Sequence, residues 1–257
     1  MKIRVIGVHN LETANTRHTC FLVDGVLAVD AGSLATSLPQ TELAKIRAIL
    51  LTHAHFDHCR DLPTIGLAIV ERSHQIDVYG LQETLESVRT HLMDGIVYPD
   101  LTKALRDASA RYQFHPVKAM QPIPVLDYHI RAIPARHPVP AVGYIIWNKD
   151  GMSMAYTGDT SGDLLPFFQD PHAPRVLFVD VNFPNRLKSL AELVGHLTPA
   201  LLAQQLRHAL DIGVKLPRIV PVHLGLQYHE ELAMELSAEA DRLGIELKPG
   251  QEDMLVE

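Results

Sequence analysis

The sequence predicts a layered α/β domain built around a cluster of metal-binding side chains. The early apolar runs are joined by tight hairpin turns, whereas the later ones alternate with segments of helical periodicity, an order typical of layered α/β proteins. Four side chains that can bind metals lie within six residues, directly after an apolar run at 46–51. No linker rich in Pro, Gly or Ser divides the chain, so we expect residues 1–257 to form one domain.

The first part of the chain has the pattern of short strands and amphipathic helices. Two apolar runs at 19–23 and 26–30 flank Asp24-Gly25, the dipeptide that most strongly indicates a two-residue hairpin turn. Thr41 is the expected N-cap of a helix over 40–45, and Pro63 fits the first turn of a helix over 61–70. The other elements predicted here are strands at 2–8, 47–51 and 76–79 and a helix at 81–91.

Residues 93–111 match neither the helical nor the strand period, and we expect them to form a cap-like excursion over the site. A hairpin is predicted over 142–148 and 152–157 with its turn at Lys149-Asp150-Gly151, and Thr198 is the expected N-cap of a helix over 199–209. The remaining predicted elements are strands at 112–117, 128–135, 175–181, 218–222 and 245–247 and a helix at 230–243.

The composition argues against several classes of protein. The net charge is −7 with His neutral, so we expect no binding to extended nucleic acid, although a small anionic substrate is compatible with bound metal ions. The apolar start of the chain is too short for a signal peptide, and no segment reaches the ~18 apolar residues of a membrane span. We therefore expect no attachment to a membrane. The two cysteines form no pairing motif, which fits a reducing compartment such as the cytoplasm.

The cluster that follows the apolar run consists of His53, His55, Asp57 and His58. Three imidazoles and a carboxylate packed this closely would be costly to bury without a partner. A metal ion supplies that partner, and the combination of His nitrogen with Asp oxygen suits zinc or a similar divalent ion.

Three further candidate ligands follow the ends of later predicted strands. His137 comes after the strand at 128–135, Asp159 after the strand at 152–157, and His223 after the strand at 218–222. Sites in layered α/β folds gather beyond the carboxyl ends of strands, so these side chains are expected to meet the cluster. Seven such residues are enough to bind two metal ions that share one bridging carboxylate.

The His-x-His-x-Asp-His motif after a buried strand, together with the three later positions, resembles the metallo-β-lactamase superfamily. The resemblance implies a four-layer αββα sandwich and two divalent metal ions, zinc or alternatively manganese. Members of the superfamily are often dimers, so the resemblance is also compatible with a homodimer. Carried over to this sequence, the ligands of the first metal would be His53, His55 and His137, those of the second would be Asp57, His58 and His223, and Asp159 would bridge the two.

A narrower resemblance is to the class II 3',5'-cyclic nucleotide phosphodiesterases. The stretches at 91–102 and 183–187 are similar to that family, and so is Gly195-His196-Leu197-Thr198-Pro199, which ribonuclease Z shares in a similar His-containing loop. One departure is Asp61, which stands where the family usually has glycine. The substrate implied is therefore a small phosphodiester, with a 3',5'-cyclic nucleotide as the specific candidate.

The expected reaction uses a hydroxide bridged by two metal ions ~3.5–4 Å apart, which lower its pKa to about neutrality. Asp57 is expected both to bind a metal and to orient this nucleophile. His196 is not needed as a ligand, and we expect it to protonate the leaving oxygen. Asp30 is a candidate hydrogen-bond partner of a ligand imidazole, and Arg186 either meets the phosphate or forms a solvated charge on a helix.

Two other reactions are compatible with the same residues. A lactonase, β-lactamase or thioester hydrolase would use the two-metal site on a carbon electrophile but would not need His196. A mono-iron dioxygenase would bind one iron per chain instead of two other divalent ions.

Overall fold

The computed structural model describes residues 1–69, 75–104 and 109–257, and in it two β-sheets pack face to face with helices on both outer sides. Side chains from both sheets fill the layer between them, among them Phe21, Tyr144 and Phe178. A second apolar layer lies between the first sheet and its helices, and a third lies between the second sheet and its helices. The predicted four-layer αββα fold is therefore confirmed.

The first sheet begins as an antiparallel meander and continues with parallel strands. Its strand order is β13-β1-β2-β3-β4-β5-β6 among the described residues. The strands are β1 (Ile3–Gly7), β2 (Cys20–Val23), β3 (Leu27–Val29), β4 (Ala48–Leu50), β5 (Ile76–Gly80), β6 (Tyr112–Pro116) and the C-terminal β13 (Leu255–Val256).

The second sheet brings the carboxyl ends of four strands to one edge. Its order is β12-β11-β10-β9-β8-β7 among the described residues. β9 is antiparallel to both β8 and β10, so β8 runs in the same direction as β10, β11 and β12. The strands are β7 (Pro122–Val125), β8 (Tyr128–Pro134), β9 (Val142–Asn148), β10 (Ser153–Tyr156), β11 (Val176–Asp180) and β12 (Arg218–Val222).

The helices form the two outer layers. Those against the first sheet are α1 (Leu34–Ser37), α2 (Gln40–Leu43), α3 (Phe56–Cys59), α4 (Leu62–Ala68) and α5 (Gln82–Ser87), which continues as a π-helical turn over Val88–Leu92. Those against the second sheet are α6 (Leu165–Phe168), α8 (Pro199–Asp211) and α9 (His229–Leu243), and α7 (Lys188–Val194) precedes α8. Within the described residues, no helix is both long enough and apolar enough to cross a bilayer.

The structure confirms two predicted hairpins and one predicted helix cap. The hairpin between β2 and β3 has Asp24 at φ 48° and Gly25 at φ 74°, the paired positive φ angles of a type I′ turn. The hydroxyl of Thr198 accepts a hydrogen bond from the backbone N–H of Leu201 and caps α8. The hairpin of β9 and β10 is confirmed as well.

Other predictions were wrong or incomplete. Residues 245–247 form no strand, because no neighbouring strand pairs with them, and the last strand is β13. The N-cap of α2 is Pro39 and not Thr41. The described part of 93–111 contains only turns, bends and irregular chain, as expected, and its role as a cap over the site stays a prediction. Residues 105–108 and Val70, the last residue of the helix predicted at 61–70, lie outside the described residues.

Asp61, the residue in place of the usual glycine, connects the chain after α3 to the start of α1. Its buried carboxylate accepts a hydrogen bond from the backbone N–H of Ala35 at 2.7 Å and lies 3.4 Å from Nε of Arg60. Burial raises the pKa of Asp61 to about 6, because the charged form loses its hydration. This connection therefore has an electrostatic cost when Asp61 is ionised.

The two sheets are also joined by a buried tyrosine next to the metal-binding cluster. The hydroxyl of Tyr144 on β9 donates to the carbonyl oxygen of Leu51, just after β4, at 2.9 Å. Tyr156 is its direct neighbour on β10 and is equally buried, but its hydroxyl has no hydrogen-bond partner among the described residues. The pair offers a matched test of this connection.

We predict that Tyr144→Phe lowers the free energy of unfolding by about 1–2 kcal/mol, because the carbonyl of Leu51 loses its donor in a buried position. Tyr156→Phe should change it by less than about 0.5 kcal/mol or raise it, because a buried hydroxyl without a partner is removed. Urea unfolding of both variants measures the difference. Equal losses would contradict the assigned hydrogen bond.

We also predict that Asp61→Asn stabilises the protein at pH 8 but not at pH 4. A carboxyl group whose pKa is raised on folding destabilises the folded state as the pH rises from its usual pKa of about 4 through its native value. With a native pKa of about 6, the gain at pH 8 is at most about 3 kcal/mol. Urea unfolding across this pH range tests it, with Asp211→Asn, an exposed carboxylate on α8, as the control. A pH-independent difference would refute the explanation.

Candidate metal centre

The candidate metal ligands from sequence meet at one edge of the two sheets. The segment after β4 carries the cluster, and the segments after β8, β10 and β12 carry His137, Asp159 and His223. All seven side chains fall into two groups whose donor atoms lie within 4.8 Å of one another. The parallel course of these strands is what brings residues so distant in sequence to the same place.

The first group contains His53, His55, His137 and Asp159. Nε2 of His137 lies 3.1 Å from Nδ1 of His55, and Nε2 of His53 lies 3.7 Å from Oδ2 of Asp159. These three nitrogens and the carboxylate oxygen are donor atoms of the kinds that bind zinc, and they lie close enough together to share one cation.

The second group contains Asp57, His58, His223 and again Asp159. Oδ2 of Asp57 lies 3.4 Å from Nε2 of His58 and 3.3 Å from Nε2 of His223. Oδ2 of Asp159 lies 3.4 Å and 3.5 Å from the same two nitrogens. Asp159 thus belongs to both groups, which is the position that the resemblance implied for a bridging carboxylate.

The outer nitrogens of two imidazoles are held by Asp30 and Thr52. Nδ1 of His58 donates to Oδ2 of Asp30 at 2.7 Å. Nδ1 of His53 lies 3.0 Å from the hydroxyl of Thr52, which itself donates to Asp30 at 2.8 Å. Hydrogen bonds of this kind orient a ligand ring and turn its Nε2 towards a metal. Asp30 can adopt this position because it follows β3 in a left-handed conformation, with φ 59°.

The other side of the site is organised by Asp180, the last residue of β11. Its Oδ2 accepts from Nδ1 of His196 at 2.8 Å, and its Oδ1 lies 3.2 Å from Nδ1 of His223. Nδ2 of Asn182 also lies 2.9 Å from His223 Nδ1, but an amide N–H is a donor, so Asp180 is the group that can accept the proton of this nitrogen. The ring of His196 stacks on that of His223 at 5.3 Å with an interplanar angle of 14°.

The position of His196 follows from the backbone between two helices. α7 ends at Gly195, which has φ 78°, and the chain then enters the Thr198 cap of α8. The carbonyl of Gly195 accepts from Nδ1 of His137 at 3.1 Å. A Cβ at residue 195 would lie 2.7 Å from that nitrogen, so glycine is required by both the conformation and the close approach.

The chemistry of the donor set fits divalent cations. Nε2 of His53, Nε2 of His58 and Oδ1 of Asp159 are buried and have no hydrogen-bond partner among the described residues. Buried polar atoms in this state are costly unless another group satisfies them. One cation in each ligand group would satisfy all three atoms.

The electrostatics of the site also call for positive charge. Burial works against protonation of His58, but the carboxylates of Asp159 and Asp57 raise its pKa well above the usual value. Burial likewise opposes protonation of His223, yet the carboxylates around it raise its pKa to about 10. For His196, burial is again overcome, this time by Asp180, and the net pKa is raised. The buried carboxylates therefore favour cations, which a bound metal would supply.

Sequence reasoning missed Asp180 and Thr52. Asp180 satisfies the same rule that located Asp159, because it stands at the carboxyl end of a strand. It was overlooked because the predicted strand continued through Val181, which placed Asp180 inside the strand. Thr52 had no comparable signal, since its importance depends on Asp30, a residue brought next to it only by the pairing of β3 with β4.

The sequence is similar to that of known proteins of one superfamily. A model of the beta-lactamase superfamily domain matches residues 19–224. Ribonuclease Z of Pyrococcus abyssi is 29% identical over 154 residues, which cover 56% of this chain and 46% of that protein. Ribonuclease Z of Pyrococcus horikoshii is 25% identical over 121 residues, covering 44% and 36%. The match thus spans less than half the length of these relatives.

Solved structures share the fold at lower sequence identity. Unliganded yeast PDE1 superposes with a TM-score of 0.81 at 16% identity, covering 99% of this chain and 98% of that one. The short form of human tRNase Z has a TM-score of 0.72 at 19% identity, covering 100% and 99%. The family match includes every candidate ligand from His53 to His223. The chain therefore belongs to the beta-lactamase superfamily and has the metallo-β-lactamase fold.

Proposed function

We propose that this protein is a metal-dependent hydrolase that cleaves a phosphodiester, with 3',5'-cyclic nucleotides as the substrate class. The observation that carries the proposal is the hydrogen-bonded pair of Asp180 and His196 beside the two candidate ligand groups. The ligand groups alone would suit hydrolysis at carbon or at phosphorus. A positioned imidazole next to them favours phosphorus, because an alkoxide leaves a phosphodiester poorly unless it receives a proton.

The ligands proposed for the first cation are His53, His55 and His137, and those for the second are Asp57, His58 and His223, with Asp159 shared between them. When bound, two divalent ions such as zinc or manganese would lower the pKa of a water molecule and neutralise charge on the phosphoryl oxygens.

Asp57 is proposed to orient the attacking water. Its Oδ2 faces His58 and His223, whereas its Oδ1 takes part in no hydrogen bond among the described residues. The side chain is partly exposed, so Oδ1 can accept a hydrogen bond from a water molecule that enters the site. The same residue then binds the cation and aligns the nucleophile.

His196 is proposed to donate the proton that the leaving oxygen needs. Because Nδ1 donates to Asp180, the other nitrogen, Nε2, is free to face the substrate. Asp180 fixes the orientation of the ring and stabilises its protonated form. The ring contacts both His137 and His223, one from each ligand group, and this position supports the proposal that Nε2 would lie near a phosphate bound in the site.

The proposed function predicts both the metal content of the protein and the type of bond that it cleaves. The zinc-loaded protein should bind about two ions per chain and hydrolyse bis(p-nitrophenyl) phosphate, and a chelator should remove both the ions and the activity. Elemental analysis and a colorimetric assay measure the two quantities. A metal-loaded protein that opens lactones but cleaves no phosphodiester would contradict the proposal, and one iron per chain would favour a dioxygenase.

If His196 is a proton donor, the loss of activity on replacing it should depend on the leaving group of the substrate. His196→Asn should lower kcat for a cyclic nucleotide by about 10²–10⁴-fold, because the leaving alkoxide is no longer protonated. The loss should be much smaller for bis(p-nitrophenyl) phosphate, because p-nitrophenolate leaves without a proton.

His208→Asn, which alters a solvent-exposed histidine on α8, is the matched control and should affect neither substrate. Metal content is measured alongside for all variants and should stay unchanged in His196→Asn. Equal losses on both substrates, or loss of metal, would mean that His196 is a ligand or a structural residue instead of a proton donor.

A further inference from the structure

Phe183 lies beside His196, Tyr228 lies beside Phe183, and neither ring has a role in the proposed chemistry. The ring centroid of Phe183 is 5.7 Å from that of His196 and 6.2 Å from that of Tyr228. Both aromatic side chains belong to residues of intermediate exposure, so neither ring is sealed in the core. Phe183 and Tyr228 are called here the aromatic wall.

Backbone contacts fix the position of each residue of the aromatic wall. Phe183 comes three residues after Asp180, and its backbone N–H donates to the carbonyl of Leu197. Tyr228 stands at the start of α9, and a Cβ at Gly225 would lie 3.0 Å from its ring. The loops that carry the wall are therefore the same loops that carry Asp180 and His223.

Arg186 supports the wall and does not serve as a free anion site. Its guanidinium lies over the ring of Tyr228, 5.4 Å from the centroid. The same guanidinium donates three hydrogen bonds to the carboxylate of Glu231, at 2.9 Å, 3.2 Å and 3.3 Å. Its charge is thus compensated, and of the two roles considered from sequence the structure favours a surface ion pair over a phosphate contact.

We propose that the aromatic wall binds a planar aromatic group on the leaving side of the substrate, namely the base of a cyclic nucleotide. This inference rests on the proposed function, because it is His196 that marks the leaving side. A wall of aromatic faces next to a compensated cation suits stacking with a flat, neutral ring better than contact with a phosphate. The cations proposed for the neighbouring ligand groups would hold the phosphate itself.

The chemistry of stacking also sets the specificity. Every base has an aromatic face, and stacking does not distinguish the hydrogen-bonding edges of adenine and guanine. The wall should therefore favour any purine cyclic nucleotide over a cyclic phosphate of the same sugar without a base. The preference should be expressed in KM, because stacking does not change as the P–O bond breaks.

The test compares three substrates: 3',5'-cyclic AMP, 3',5'-cyclic GMP and the base-free cyclic sugar phosphate. Phe183→Leu and Tyr228→Leu keep an apolar side chain but remove the aromatic face. Each should raise KM for both cyclic nucleotides about tenfold, within the usual worth of one stacking contact. KM for the base-free substrate should change by less than about twofold.

Two kinds of control separate stacking from folding. Phe183→Tyr and Tyr228→Phe retain a ring and should preserve the ratio of KM values between base-free and base-bearing substrates. Phe114→Leu makes the same exchange on β6 and should leave all three substrates unaffected. Metal content and thermal stability are measured for every variant.

The outcomes distinguish this inference from the proposed function. If the unaltered protein has the same KM for base-free and base-bearing substrates, or if the Leu variants raise KM for all three equally, the aromatic wall does not bind the base. If the unaltered metal-loaded protein cleaves none of the three substrates and no other phosphodiester, the proposed function is refuted and this inference falls with it.

Discussion

The structure depends on the burial of several carboxylates and imidazoles at one edge of a two-sheet core. Asp57 and Asp159 face both His58 and His223, and Asp180 faces His223. The carboxylates of Asp159 and Asp180 are buried, whereas that of Asp57 is partly exposed. Such an arrangement is unfavourable unless positive charge compensates it. The raised pKa values of His58 and His223 express that demand, and divalent cations would meet it. The folded core thus pre-orients the ligands for these cations.

Asp180 connects this electrostatic centre to the proposed catalysis. One of its oxygens faces His223, a proposed metal ligand, and the other accepts from His196, the proposed proton donor. It also accepts from the backbone N–H of Thr160, just after Asp159. A single carboxylate at the end of β11 therefore sets the relative positions of a ligand, the bridging residue's loop and the donor. The aromatic wall extends the same loops towards the group that the donor would protonate.

The sequence predicted most of what local chemistry determines. The Asp24-Gly25 turn, the Thr198 cap and the compact His53–His58 motif each depend on neighbours in sequence. The ends of predicted strands indicated the three later candidate ligands, His137, Asp159 and His223, which do lie beside the motif. What it missed depends on tertiary pairing. Residues 245–247 have a strand-like composition but no strand to pair with, whereas the two residues of β13 pair with β1 although they are too short to give a pattern. Thr52 and Asp180 gain their roles only from partners on other strands.

Seven residues are proposed to hold two cations, with Asp159 between them. Anomalous diffraction at the zinc absorption edge from crystals of the zinc-loaded protein tests it most directly. The account predicts two peaks, one among His53, His55 and His137 and the other among Asp57, His58 and His223, with Asp159 in contact with both. The residues Asp180, His196 and His223 also lie close enough, with Asp159, to hold an ion. A peak there, or a single peak in the whole site, would contradict the account.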